Sequence, residues 1–168
     1  MVRRRHWTLI ALFTIVAASA AGAETLAVTV RLAAAPEDEP GITELVADVE
    51  EGAMDAMFAT GHIVFDIDPV GTSDSSWLGA ITTARRGGAT SLIVIDVSYA
   101  LVGERGLLPR DATVMIVDVV QESDRLLDRI NALTLAGAES QTAEALSLSL
   151  GREAALLALA EIVEGTTP

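Results

Sequence analysis

The stretch Leu92–Val120, LIVIDVSYALVGERGLLPRDATVMIVDVV, decides the fold. It holds two runs rich in apolar residues, Leu92 to Leu101 and Ala112 to Val120, and each carries one acid, Asp96 and Asp118. Such runs read as strands. Only ten residues part them, Gly103, Gly106 and Pro109 among these. A parallel crossover needs a dozen or more residues and usually a helix, so the two strands turn back on each other as an antiparallel pair.

Before this hairpin the chain reads differently. Leu26 to Leu32 alternates with period two, placing Leu26, Val28, Val30 and Leu32 on one side and Thr29 and Arg31 on the other. After the turn Ala35–Gly41 (APEDEPG), Ile42, Leu45, Val46, Val49, Ala53 and Met57 recur at three- and four-residue steps, which predicts a helix that stops at Gly61. His62 to Asp68 (HIVFDID) is a second strand. The run Gly71–Ser76 offers caps for a second helix over Trp77, Leu78, Ile81 and Ala84, closed by Gly87-Gly88. Strand–helix–strand–helix–strand implies crossovers and a parallel start to the sheet. Beyond the hairpin, Arg125 to Leu133 (RLLDRINAL) is read as a fifth strand in preference to a helix start, and Gln141 to Gly165 as a long helix. The expected fold is α/β: a two-layer mixed sheet of about five strands, element order βαβαβββα, with helices packed on one face.

Composition narrows the function. The 168 residues include no cysteine and no lysine; 11 arginines stand against 24 acids, a formal charge of −13. That excludes a disulfide scaffold, a thiol enzyme and a Cys-ligated zinc site, and it opposes nucleic acid as a partner. Residues 1–23 join a basic stretch with Arg3, Arg4 and Arg5 to the apolar run Trp7–Ala20 and the small residues Ala21-Gly22-Ala23. This is the three-part form of a secretory signal peptide. Its 14-residue run would span roughly 21 Å as a helix, short of the bilayer core. The expectation is cleavage after Ala23 and a single exported, periplasmic domain over residues 24–168. Its eight arginines against the same 24 acids would give −16. Without cysteine it has no site for a bacterial lipid anchor. It would meet the membrane only through a partner or an uncleaved signal.

Candidate chemistry is sparse. Ile63-Val64-Phe65-Asp66-Ile67-Asp68-Pro69-Val70 resembles the first motif of haloacid-dehalogenase-like phosphatases. By that resemblance Asp66 would attack phosphorus and Asp68 would serve as acid/base, with Mg²⁺ offsetting the phosphate charge. The chain departs from that family in having no lysine to hold phosphate. On a regular strand the two carboxylates lie about 6.6–7 Å apart, so one cation could join them only with loop oxygens. The loop after Asp68 has no EF-hand spacing. His62 is the one histidine beyond residue 23, so no histidine pair exists; a corner histidine with one satisfied hydrogen bond is expected.

A different set stands out by alternation. Arg31, Asp66, Asp96 and Asp118 each lie on the side of their strand away from its immediate apolar neighbours. Burial would cost several kcal/mol for each charge left unpaired. A partly open polar sheet face, bearing Leu92, Val94, Val114 and Ile116 beside the acids, avoids that cost. Arg31, His62, Asp66, Asp96 and Asp118 are therefore the binding-face candidates, with no cofactor required.

The element order, carried by Ala84–Val94 (ARRGGATSLIV) and Val117–Leu127 (VDVVQESDRLL), resembles the small α/β domain of bacterial envelope accessory proteins. These include the amino-terminal domain of the Tol translocation protein, the curli-secretion lipoprotein and lipoprotein activators of penicillin-binding proteins. The resemblance implies a non-enzymatic protein-interaction domain with an envelope protein partner. A homo-oligomer is compatible with it. The high negative charge favours cationic partners and salt-sensitive encounter.

Overall fold

Period-two alternation and the turn residues between runs produce a five-stranded sheet in the order β2-β1-β3-β4-β5. The computed structural model describes residues 24–36, 39–67 and 76–165. The expected export segment (1–23) and Asp68 fall outside them. In chain order the elements are β1 (Thr25–Ala34), α1 (Ile42–Ala59), β2 (Ile63–Asp66), α2 (Ser76–Arg86), β3 (Ser91–Leu101), β4 (Leu107–Asp118), β5 (Ser123–Asn131) and α3 (Ala143–Gly165). β2, β1 and β3 run parallel, and β4 and β5 complete the sheet antiparallel. The β3–β4 hairpin is tighter than the sequence suggests. β4 already begins at Leu107, so Pro109 sits within the strand opposite Tyr99, beside a bulge between Ser98 and Tyr99. The RLLDRINAL segment is strand up to Asn131.

The two sheet faces differ. Leu26, Val28 and Val30 join Val64, Ile93, Ile95, Val97 and Val114 beneath α1 and α3. On the opposite face Ala27, Leu92, Val94 and Val117 pack with Ala80, Ile81 and Ala84 of α2. The expectation that helices share one face holds for α1 and α3 and is corrected for α2. The reason is handedness. The chain steps from β1 outward to β2, then back past β1 to β3, and right-handed crossovers in opposite directions put successive helices on opposite faces. α2 covers only part of its face. Arg31 and Asp96 beyond it keep partial exposure, and Asp66 is exposed, so none of these charges is sealed inside.

Local chemistry fixes the helix ends and the helix–helix contact. α1 closes with His62 N–H donating to the Met57 carbonyl and Gly61 N–H to that of Phe58, a paired arrangement that needs the positive φ of 87° at Gly61. α1 and α3 pack through glycine. A Cβ on Gly151 would overlap the Val49 carbonyl oxygen, and one on Gly52 would overlap that of Leu148. Tyr99 of β3 ties the same pair to the sheet. Its hydroxyl donates to the Leu45 carbonyl at 2.7 Å, so the Ser147 hydroxyl, 3.2 Å away, is the donor to the Tyr99 oxygen. Burial pushes the Tyr99 phenol up to about 12; the Asp48 charge adds to the rise and the Ser147 hydrogen bond opposes it.

This packing sets two measurable outcomes. Gly151→Ala should destabilise the protein by about 1–3 kcal/mol through overpacking, read as a lower urea midpoint at unchanged slope. The phenol's folded-state pKa lies above its unfolded value near 10. Its contribution is therefore complete below about pH 10 and is lost as pH rises through about 12, on the order of 2 kcal/mol in all. Because Tyr99 is the only tyrosine, tyrosinate absorbance follows it directly, and Tyr99→Phe should remove this alkaline loss.

Candidate functional site

The five sequence-derived candidates do not form one site. Arg31 of β1 stands directly opposite Asp96 of β3 on the α2 side of the sheet. Its guanidinium forks onto the carboxylate, Nε to Oδ1 and Nη2 to Oδ2, both at 2.6 Å. Asp66 lies opposite Val28, and Asp118 follows Ile116 by two residues, so both belong to the α1/α3 side. Three strand spacings, roughly 14 Å, separate the strands of Asp66 and Asp118, which is too far to share one ligand atom. The apolar residues divide likewise: Leu92 and Val94 lie on the side of Asp96, Val114 and Ile116 on that of Asp118. The single mixed face is thus corrected to two. Alternation within a strand was right, but only inter-strand register relates one strand's faces to another's.

His62 occupies the corner between α1 and β2, where its backbone closes the helix. Its Nδ1 is buried with no hydrogen-bond partner, in contrast to the satisfied corner histidine expected. Asp66 is exposed at the end of edge strand β2. Among the described residues no group of three or more His, Asp or Glu side chains could hold a metal ion.

The Arg31–Asp96 fork belongs to a longer ionic band on the same face. Thr113 stands opposite Asp96, and Arg129 of β5 opposite Thr113. Asp111, only 6% exposed, accepts from Arg110 Nε at 2.7 Å and Arg129 Nη2 at 2.8 Å. Burial alone would raise the Asp111 carboxyl, but the hydrogen bonds and positive charges of Arg129 and Arg110 outweigh it and hold the group below the usual carboxylate range. Residues in this band are consumed by one another, which suits a structural role.

Asp118 leads to the cavity. A cleft of about 420 Å³ opens where β1 and β3 begin and β4 ends; Glu24, Ile116, Asp118, Asp124, Arg125 and Glu161 line it. Four carboxylates face one arginine, and Arg125 is itself bound to Glu161 of α3 at 2.8 Å. Asp118 Oδ1 accepts the backbone N–H groups of Val120 and Gln121 at 2.8 and 2.7 Å, so it also holds the β4–β5 turn. Arg85 of α2 grips that turn from the other flank, through the Val119 carbonyl and Glu122, both at 2.7 Å. Sequence reasoning found Asp118 and missed Glu24, Asp124, Arg125 and Glu161. These come from separate segments, and only the register and the placement of α3 bring them together.

No family model matches the chain, and no curated protein matches it. Among solved structures it is similar to the PelC dodecamer from Paraburkholderia phytofirmans, at 16% identity and TM-score 0.48, over 81% of this chain and 87% of that one. A point-substituted PelC dodecamer from the same organism gives 14% and 0.46, over 79% and 85%. A neuraminyllactose-binding hemagglutinin homolog from Helicobacter pylori gives 11% and 0.40, over 86% of each chain. Among the described residues no helix is long and apolar enough to cross a membrane.

The different placements of the acids predict different costs. Asp96→Ala, which removes the forked partner of a half-buried guanidinium, should lower stability by about 1–3 kcal/mol. Asp66→Ala, at an exposed edge, should stay within about 0.5 kcal/mol of the parent. Paired chemical-denaturation curves check both.

Proposed function

We propose that the chain is an exported, non-enzymatic interaction domain of a bacterial envelope, and that its acidic cleft receives a cationic group of a partner protein. The observation that carries this reading is the cleft itself: four carboxylates around one arginine already engaged by Glu161. Long-range charge supports it, because a chain of −13, or −16 without residues 1–23, attracts cationic surfaces and repels anionic lipid. The position of the cleft supports a protein ligand over a small one. Open α/β sheets usually seat small ligands at the carboxyl ends of their parallel strands, whereas this cleft lies where β1 and β3 begin. The six aromatic side chains offer few stacking platforms for a solute. The basic, apolar and small-residue order of residues 1–23 supports export to the periplasm.

In the native envelope, a photoreactive residue replacing Thr90 on the cleft wall should crosslink to a second protein. Glu24→Gln combined with Glu161→Gln should cut that yield several-fold, and added salt should do the same. An adduct containing this chain alone, or a yield indifferent to both changes, overturns the proposal.

A further inference from the structure

Among the described residues β5 ends the sheet, and its outer side carries no strand. Seven of its nine residues are exposed, including Asp124, Arg125, Asp128 and Arg129. Its sequence Asp124-Arg125-Leu126-Leu127-Asp128-Arg129 has a particular symmetry: reversed, every acid falls on an arginine and every leucine on a leucine. We propose that β5 pairs antiparallel with β5 of a second copy of this chain. The two-fold axis passes between Leu126 and Leu127 and joins two five-stranded sheets into one. Asp124 then faces Arg129 of the second copy, and Arg125 faces its Asp128, four ion pairs in all.

The bulge in β5 is what allows this register. In a regular strand, residues five apart point to opposite faces, and residues three apart do so as well. Neither Asp124 with Arg129 nor Arg125 with Asp128 could then meet across a two-fold axis normal to the sheet. Here the pairing with β4 slips by one residue: Met115 opposes Leu126 and Val114 opposes Asp128, leaving Leu127 as the extra residue. Asp124, opposite Val117, and Arg129, opposite Thr113, consequently share the α2 side. Arg125, opposite Ile116, and Asp128, opposite Val114, share the α1/α3 side. Both charge pairs are matched face to face.

Electrostatics favours this edge. Two copies of so acidic a chain repel one another, yet β5 carries two acids and two arginines and is locally neutral. Arg125 and Arg129 already bind Glu161 and Asp111 within their own chain, but a guanidinium has five donors, and these side chains are 58% and 61% exposed. Charges on an edge strand discourage indiscriminate pairing. The pattern here gives one self-pairing register in which all four charged residues meet opposite charges.

Sedimentation of the purified chain should show a dimer. Arg125→Asp and Asp128→Arg each place like charges opposite one another, and each alone should weaken dimerisation about a hundredfold or more. An equimolar mixture of the two variants restores both pairs and should dimerise again. Asp124→Arg mixed with Arg129→Asp gives the same test on the other face should either first variant fail to fold by circular dichroism. A monomeric parent, a single variant that remains dimeric, or a mixture that remains monomeric overturns the proposal. Asp124 and Arg125 also line the cleft, but Asp128 and Arg129 do not, and the crosslinking test of the cleft varies only Glu24 and Glu161, so the two proposals fail separately.

Discussion

The close approach of α1 and α3 is the constraint on which the rest depends. Gly52 and Gly151 let each helix backbone reach the carbonyl oxygens of the other, at Leu148 and Val49, where any side chain would collide. That approach leaves Leu45, Val49, Ala53 and Met57 of α1 and Leu146, Leu150, Ala154 and Ala158 of α3 to share one core with the sheet. It also brings Ser147 to Tyr99 and Leu45, so that one hydrogen-bonded junction registers two helices against a central strand. The position of α3 in turn sets Glu161 beside Arg125 and closes one wall of the cleft. A pair of missing methyl groups in the core thus governs geometry at the surface.

Much of this architecture was legible in the sequence, for identifiable reasons. Period-two and period-3.6 patterns are local, so the element order emerged directly. The short interval between β3 and β4 left no room for a helix, which forced the antiparallel turn. What alternation cannot supply is the relation between strands. Asp96 and Asp118 look equivalent within their own strands, yet one lies on the α2 side and the other on the α1/α3 side. The placement of α2 was misread for a related reason. Its own apolar stripe specifies that it packs on the sheet, while the side it takes follows from the return path of the chain past β1. The ionic band of Arg110, Asp111 and Arg129 escaped notice because its members are ordinary charges until β4 and β5 are set in register.

The distribution of charge separates two kinds of polar surface. On the α2 face arginines and aspartates satisfy one another at 2.6–2.8 Å, and Arg110 and Arg129 hold the Asp111 carboxyl below its usual range. At the opposite end of the sheet the cleft gathers acids faster than cations and retains an unbalanced field. The first kind stiffens the fold; the second is available to another molecule. Composition alone reports only the sum of the two.

Arg85 adds a mechanical dimension. Its side chain bridges from α2 to the tip of the β4–β5 ribbon, whose inner side is braced by Asp118. Any load applied at the tip must either rupture those two bonds or drag the helix with it. Opposite flanks of the sheet are therefore coupled at this corner like a latch and its keeper, and stiffness there is a property of the joint and not of either element alone.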